Sequence, residues 1–160
     1  PNVLKKDPTC TVKFFKIEEN NHPYVSKGEG AAKVVREGNK VHVNLTLMRS
    51  HLTPDNIEGI KVGDEVYFHA TNLEQDWDVP HGFAIKGALN AELLVMPGET
   101  TTLKWVPEKA GMYPMYCTDF CSALHQEMSG YVRVSPAGSN VAISFSTGTN
   151  LPKSAITAKK

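Results

Sequence analysis

The sequence predicts an all-β domain, a Greek-key sandwich or barrel. In "KVHVNLTLMR", Val41, Val43, Leu45 and Leu47 alternate with His42, Asn44 and Thr46, the period of two that marks a strand with one buried face. Short runs of the same kind recur with Gly, Pro and Asp turns between them, the spacing of a sandwich or barrel. No stretch of ten or more residues carries a clear helical period, although "FCSALHQEM" has room for one helical turn.

Taken in order, residues 1–39 are punctuated by Pro8, Pro23, Gly28, Gly30 and Gly38 with mixed charges between. They read as an extension or linker with "TVKFFKI" as its single strand candidate. After the first long strand, "KVGDEVYFHATN" turns at Gly63-Asp64 and sends Val66, Phe68 and Ala70 to one face, Tyr67 and His69 to the other. "HGFAI" is a short strand, and "ETTTLKWVP" alternates Leu103 with Trp105. "AGMYPMYC" and "GYVRVSP" supply two more, the second burying Val132 and Val134. The domain so read runs from 40 to 136. A tail over 137–160, rich in Ser, Thr, Asn and Lys, holds "VAISF" as one further strand and then frays.

The chain has 160 residues, enough for one domain with a sizeable core. Seventeen basic residues balance seventeen acidic ones. That argues against a nucleic-acid partner, which requires a basic excess to neutralise phosphates. No apolar run approaches the roughly 20 residues that span a bilayer, and no segment has the pattern of a signal peptide. The opening Pro1 reads as a processed or excised piece.

Chemistry concentrates in "CTDFCSALHQEM", which places Cys117, Cys121, His125 and Met128 within twelve residues. A disulfide between the two cysteines would close a very small loop and constrain little. It would also leave His125 and Met128 without a role. Zinc accepts thiolate and imidazole, but thioether is not among its usual ligands. Methionine beside thiolate and imidazole suits copper. A mononuclear blue site needs one Cys, two His and a distant Met; Cys117 would then be surplus and open to oxidation. Two thiolates that bridge a pair of copper ions use both cysteines; the site then needs two Cys, two His, one Met and one further oxygen, and the loop provides all but one histidine. The third cysteine, Cys10, lies in the polar extension and is read without a role.

Of the six histidines, His42 and His69 face away from the apolar residues of their strands and read as solvated. His22 lies in the extension, and His51 in "RSHLTPDN" reads as a turn residue. His81, in "DWDVPHGF", stands where a loop enters a strand, the kind of place where a sandwich presents function. It is the second imidazole candidate. Met112, Tyr113, Met115 and Tyr116 read as core or site wall.

"CTDFCSALHQEM" with the upstream "DVPHGF" resembles the binuclear copper (CuA) cupredoxin domain of cytochrome c oxidase subunit II and of the C-terminus of nitrous oxide reductase. The shared spacing is Cys-x3-Cys-x3-His-x2-Met, and the resemblance covers residues 40–136. "TNLEQDWDVPHGF" and "FCSALHQEMSG" are more similar to the reductase, whereas the oxidase has no comparable ALH-x-EM stretch. The resemblance implies a cupredoxin-like fold and two copper ions bridged by Cys117 and Cys121. It caps one ion with His81 and the other with His125, and makes Met128 a weak axial donor to the second. It also makes the backbone carbonyl of Asp119 a donor to the first. That position is usually Trp in the reductase and Glu in the oxidase, so Asp119 departs from both, while its carbonyl is available whatever the side chain.

The implied function is electron transfer without an open position for substrate. The implied partners are a c-type cytochrome or small cupredoxin as donor and a downstream catalytic copper domain, within a homodimeric, periplasmic parent. An oxidase subunit II domain or a free-standing CuA protein is the alternative parent. A copper chaperone or thiol oxidoreductase is the alternative class, but its usual thioredoxin-like fold needs helices absent from this pattern. Glu74, Asp76 and Asp78, with Trp77 among them, form an acidic strip suited to docking a basic donor. In the alternative, one of these carboxylates orients the His81 ring.

Overall fold

A computed structural model describes residues 16–49, 51–75, 79–88, 92–119 and 128–147. Eleven strands among these residues form two sheets. The first orders β1 (Lys33–Glu37), β2 (Lys40–Met48), β5 (Glu65–Asn72) and β8 (Thr100–Trp105), with β3 (His51–Thr53) also paired to β2. The second orders β11 (Ser144–Ser146), β4 (Asn56–Lys61), β10 (Ser129–Ser135), β9 (Gly111–Tyr116), β6 (His81–Ile85) and β7 (Glu92–Val95). Two parallel pairings, β2 with β5 and β4 with β10, sit among antiparallel ones. The expected all-β architecture is what the chain adopts.

Alternation places the core as expected. Val41, Val43, Leu45 and Leu47 are fully buried, and Val66, Phe68 and Ala70 meet them across the parallel pair. Phe68 lies 5.2 Å from Phe83, joining the two sheets, and Trp105 packs edge-on to Tyr113 at 5.0 Å. Aromatic contacts of this kind add to the area they bury.

The sequence reading placed residues 33–37 in the extension, but they form β1, with Val34 buried and Val35 opposite His42. Arg36 explains the attachment: its guanidinium holds both oxygens of Asp64, at 2.9 and 2.6 Å, and donates to the Gly59 carbonyl at 2.7 Å. A forked pair of this geometry is stronger than an ordinary surface pair.

Strand β4 also escaped the pattern. Opposite β10, Val132 pairs with Ile57 and Val134 with Ile60, so β4 carries one extra residue. Gly59, at φ +92°, absorbs this bulge, and an added Cβ there would lie 2.7 Å from backbone atoms of Ala142 and Ile143. The bulge breaks the period of two that would otherwise reveal the strand. Ser144–Ser146, overlapping the "VAISF" candidate, pairs with β4 on its other side.

The outer face of the first sheet is covered, which corrects the reading of His69. Tyr24 stacks flat over His69 at 4.0 Å and over His42 at 4.7 Å. Asn20 donates to the Gly98 carbonyl at 2.8 Å and to Thr100 Oγ1 at 2.9 Å, and Ser26 N–H donates to Thr71 Oγ1 at 3.2 Å. His69 is therefore buried, bonded to His42 at 3.0 Å and to Thr102 Oγ1 at 2.8 Å. His42 is half-buried. His51 belongs to β3 rather than a turn and pairs with Glu29. Strand direction was legible; the cover came from residues far off in sequence.

Candidate metal centre

Strands β9 and β10 pair antiparallel, with Tyr116 opposite Ser129, and Cys117 N–H donates to the Met128 carbonyl at 3.0 Å. The Cys-rich segment is thus the connection between two neighbouring strands, closed at its base. Of its predicted ligands, Cys117, Asp119 and Met128 are described; Cys121 and His125 lie outside the described residues, as do Cys10, Asp76, Trp77 and Asp78.

Strand β6 begins at His81, which is fully buried beside this base. Its Nδ1 faces Cys117 Sγ at 3.9 Å, and Cys117 Sγ lies 3.2 Å from the Asp119 carbonyl oxygen, to which the thiol donates. An imidazole nitrogen, a cysteine sulfur and a backbone oxygen therefore meet, as the resemblance implies for one copper. Met128 is 1% exposed and packs in the core next to Cys117. The soft sulfur and imidazole donors fit copper better than a hard cation.

Close backbone approach produces this meeting. Gly82 follows His81, and an added Cβ would overlap Thr118 Oγ1 and lie 2.9 Å from Asp119 N. Only a residue without a side chain lets the loop come down onto β6. Thr118 Oγ1 is buried with no hydrogen-bond partner among the described residues.

Behind His81 stands a built support. Asn72 donates to the carbonyls of Val79 at 3.0 Å and Val95 at 2.9 Å, and accepts from Glu74 N–H at 2.9 Å. Glu74 is turned inward, its Oε1 3.2 Å from His81 Nε2. The same oxygen accepts from Arg49 N–H at 2.5 Å, while Oε2 lies 3.5 Å from Arg49 Nε. Burial pushes the His81 imidazole below its ordinary pKa, and Glu74 partly opposes this. A neutral ring is the form that binds a metal.

The acidic strip is corrected at one of its three members. Glu74 is buried under His81 and presents no carboxylate to a partner; orientation of the ring, the alternative, is what its contacts support. Among the flanking residues, Met115 is core and Tyr113 half-buried, but Met112 and Tyr116 are exposed, because strand alternation turns them outward. Sequence reasoning missed Asn72 and Arg49. "TNLE" at the end of β5 was the available signal for the first; nothing local marked the second.

The two-sheet sandwich is a cupredoxin-like fold. No family profile matches the chain. It is 35% identical over 137 residues to nitrous-oxide reductase of Stutzerimonas stutzeri, a match covering 79% of this chain and 21% of that protein. It is 32% identical over 105 residues to cytochrome c oxidase subunit 2 of Thermus thermophilus, covering 65% of this chain and 73% of that one. A cryo-EM structure of a heme-copper terminal oxidase dimer shares the fold at TM-score 0.58 and 24% identity, over 81% of this chain and 80% of that chain. The chain belongs to the CuA-type cupredoxin family of nitrous-oxide reductase and cytochrome c oxidase subunit 2. It spans about a fifth of the length of the nitrous-oxide reductases it matches. Among the described residues, no helix is long and apolar enough to cross a membrane.

Proposed function

We propose that the domain relays electrons through a binuclear copper centre. Its ligands are His81, Cys117, Asp119 through its carbonyl, Cys121, His125 and Met128. The observation that carries this reading is the convergence of His81 Nδ1 and the Asp119 carbonyl on Cys117 Sγ, at 3.9 and 3.2 Å. These are the donors the family pattern gives to one of its two coppers.

Copper supplies one-electron chemistry when bound. The chain's part is to hold the donors still: β6, β9 and β10 fix the two ends of the loop, and the fully buried His81 excludes water from its side of the site. A scaffold that keeps one ligand arrangement in both oxidation states leaves little to reorganise. The domain, taken as residues 40–136 with β1 and β11 added at the sheet edges, accepts electrons from a c-type cytochrome or small copper protein. It passes them to a catalytic copper domain. The reductase alignments and the reductase-like "TNLEQDWDVPHGF" favour a periplasmic, homodimeric nitrous oxide reductase as the parent.

The test is stopped-flow mixing of the oxidised, copper-loaded chain with a reduced c-type cytochrome. A second-order transfer that falls as salt rises is the predicted result. No transfer to a chain that retains its copper would remove the relay reading.

A further inference from the structure

We infer that Glu74 is the positioning residue of the metal centre, holding the proton of His81 at Nε2 so that Nδ1 is bare and directed at Cys117. The inference rests on His81 being a copper ligand, as proposed above.

A carboxylate has only acceptors. A neutral imidazole facing one at 3.2 Å therefore carries its hydrogen on that nitrogen, and the other nitrogen becomes the free donor. Nδ1 is the nitrogen that faces Cys117 Sγ. Burying a carboxylate is costly without partners, and Glu74 has them. Arg49 approaches with its backbone N–H and its guanidinium, and Asn72 fixes the Glu74 backbone. Asn72 in turn ties both the incoming loop at Val79 and β7 at Val95. The carboxylate is thus held from one side and spent on His81 at the other, and a fully buried ring has no competing water at Nε2.

Glu74→Ala and Glu74→Gln separate this role from a merely structural one. In the 15N-labelled chain without copper, imidazole 1H–15N correlations report the tautomer of His81. Wild type shows the Nε2–H form alone, Glu74→Ala a mixture, and Glu74→Gln, whose amide oxygen still accepts, the single form again. In the loaded chain, chelator competition gives Glu74→Ala about 10–100-fold weaker copper binding, which Glu74→Gln restores. Loss of the negative charge moves the reduction potential of both variants upward. Circular dichroism confirms that each variant is folded.

A single unchanged tautomer with undiminished copper affinity in Glu74→Ala would overturn the inference. So would a Glu74→Gln chain no better than Glu74→Ala. The binuclear reading fails separately: a wild-type chain that holds one copper refutes it, while the tautomer result still decides Glu74.

Discussion

Cys117 N–H donates to the Met128 carbonyl at 3.0 Å, so two predicted ligands eleven positions apart are bonded neighbours at the mouth of one loop. Because Met128 is buried in the core, its side chain serves packing and the proposed copper together. Met128→Leu keeps the volume and is expected to cost under about 1.5 kcal/mol in urea unfolding. The reduction potential of the loaded chain shifts in the same variant, because the axial donor tunes it. An unchanged potential would leave Met128 a packing residue only.

Gly82→Ala forces a methyl group against Thr118 and Asp119 N. Overpacking at this point is expected to destabilise the fold by about 1–3 kcal/mol. It also pushes the Asp119 carbonyl away from Cys117, and the absorption spectrum of the copper-loaded chain should change. A variant with wild-type stability and spectrum would show that the close approach is dispensable.

Stability should depend on acid pH through His69. Burial, with the charges of His42 and His22 adding to it, lowers its pKa to about 4. The positive Lys104 also lies on this face, over Tyr67, and Glu65, the carboxylate beside it, is bonded to Lys104. The folded state therefore holds fewer protons than the unfolded one between the ordinary histidine range near 6.5 and about 4. His69 adds stability above that window, and it is lost as pH falls through it, at up to about 1.4 kcal/mol per pH unit. Melting temperatures between pH 7 and 4 should fall more steeply for wild type than for His69→Gln.

Asn20→Ala removes two hydrogen bonds that hold residues 16–32 to the sheet, and leaves the Gly98 carbonyl short of one donor. A loss of about 1–3 kcal/mol is expected in urea unfolding, with the copper spectrum unchanged because the Asn20 side chain bonds none of the proposed ligands. A change in spectrum without loss of stability would place the segment at the metal centre instead.

The strands that could be read locally were those whose alternation was intact. Val41 to Leu47 and Val66 to Ala70 declared themselves because every second residue meets the opposite sheet. Strand β4 did not, since its bulge at Gly59 shifts the period midway. Strand β1 is short and charged, and its place depends on Asp64, in a turn far along the chain. For the proposed metal centre, spacing along one loop pointed to Cys117, Cys121, His125 and Met128 and a loop-to-strand junction pointed to His81; of these, the structure brings His81 and Cys117 together. Glu74 looked like a surface acid because its burial depends on Arg49, a contact from far along the chain that no local pattern encodes.

Loading the chain with copper, counting metal per chain and recording its electron spin resonance tests the binuclear centre. Two coppers per chain, with hyperfine splitting from one electron shared by two equivalent nuclei, are the predicted result. One copper with single-nucleus splitting would contradict it, leaving Cys117 a spectator.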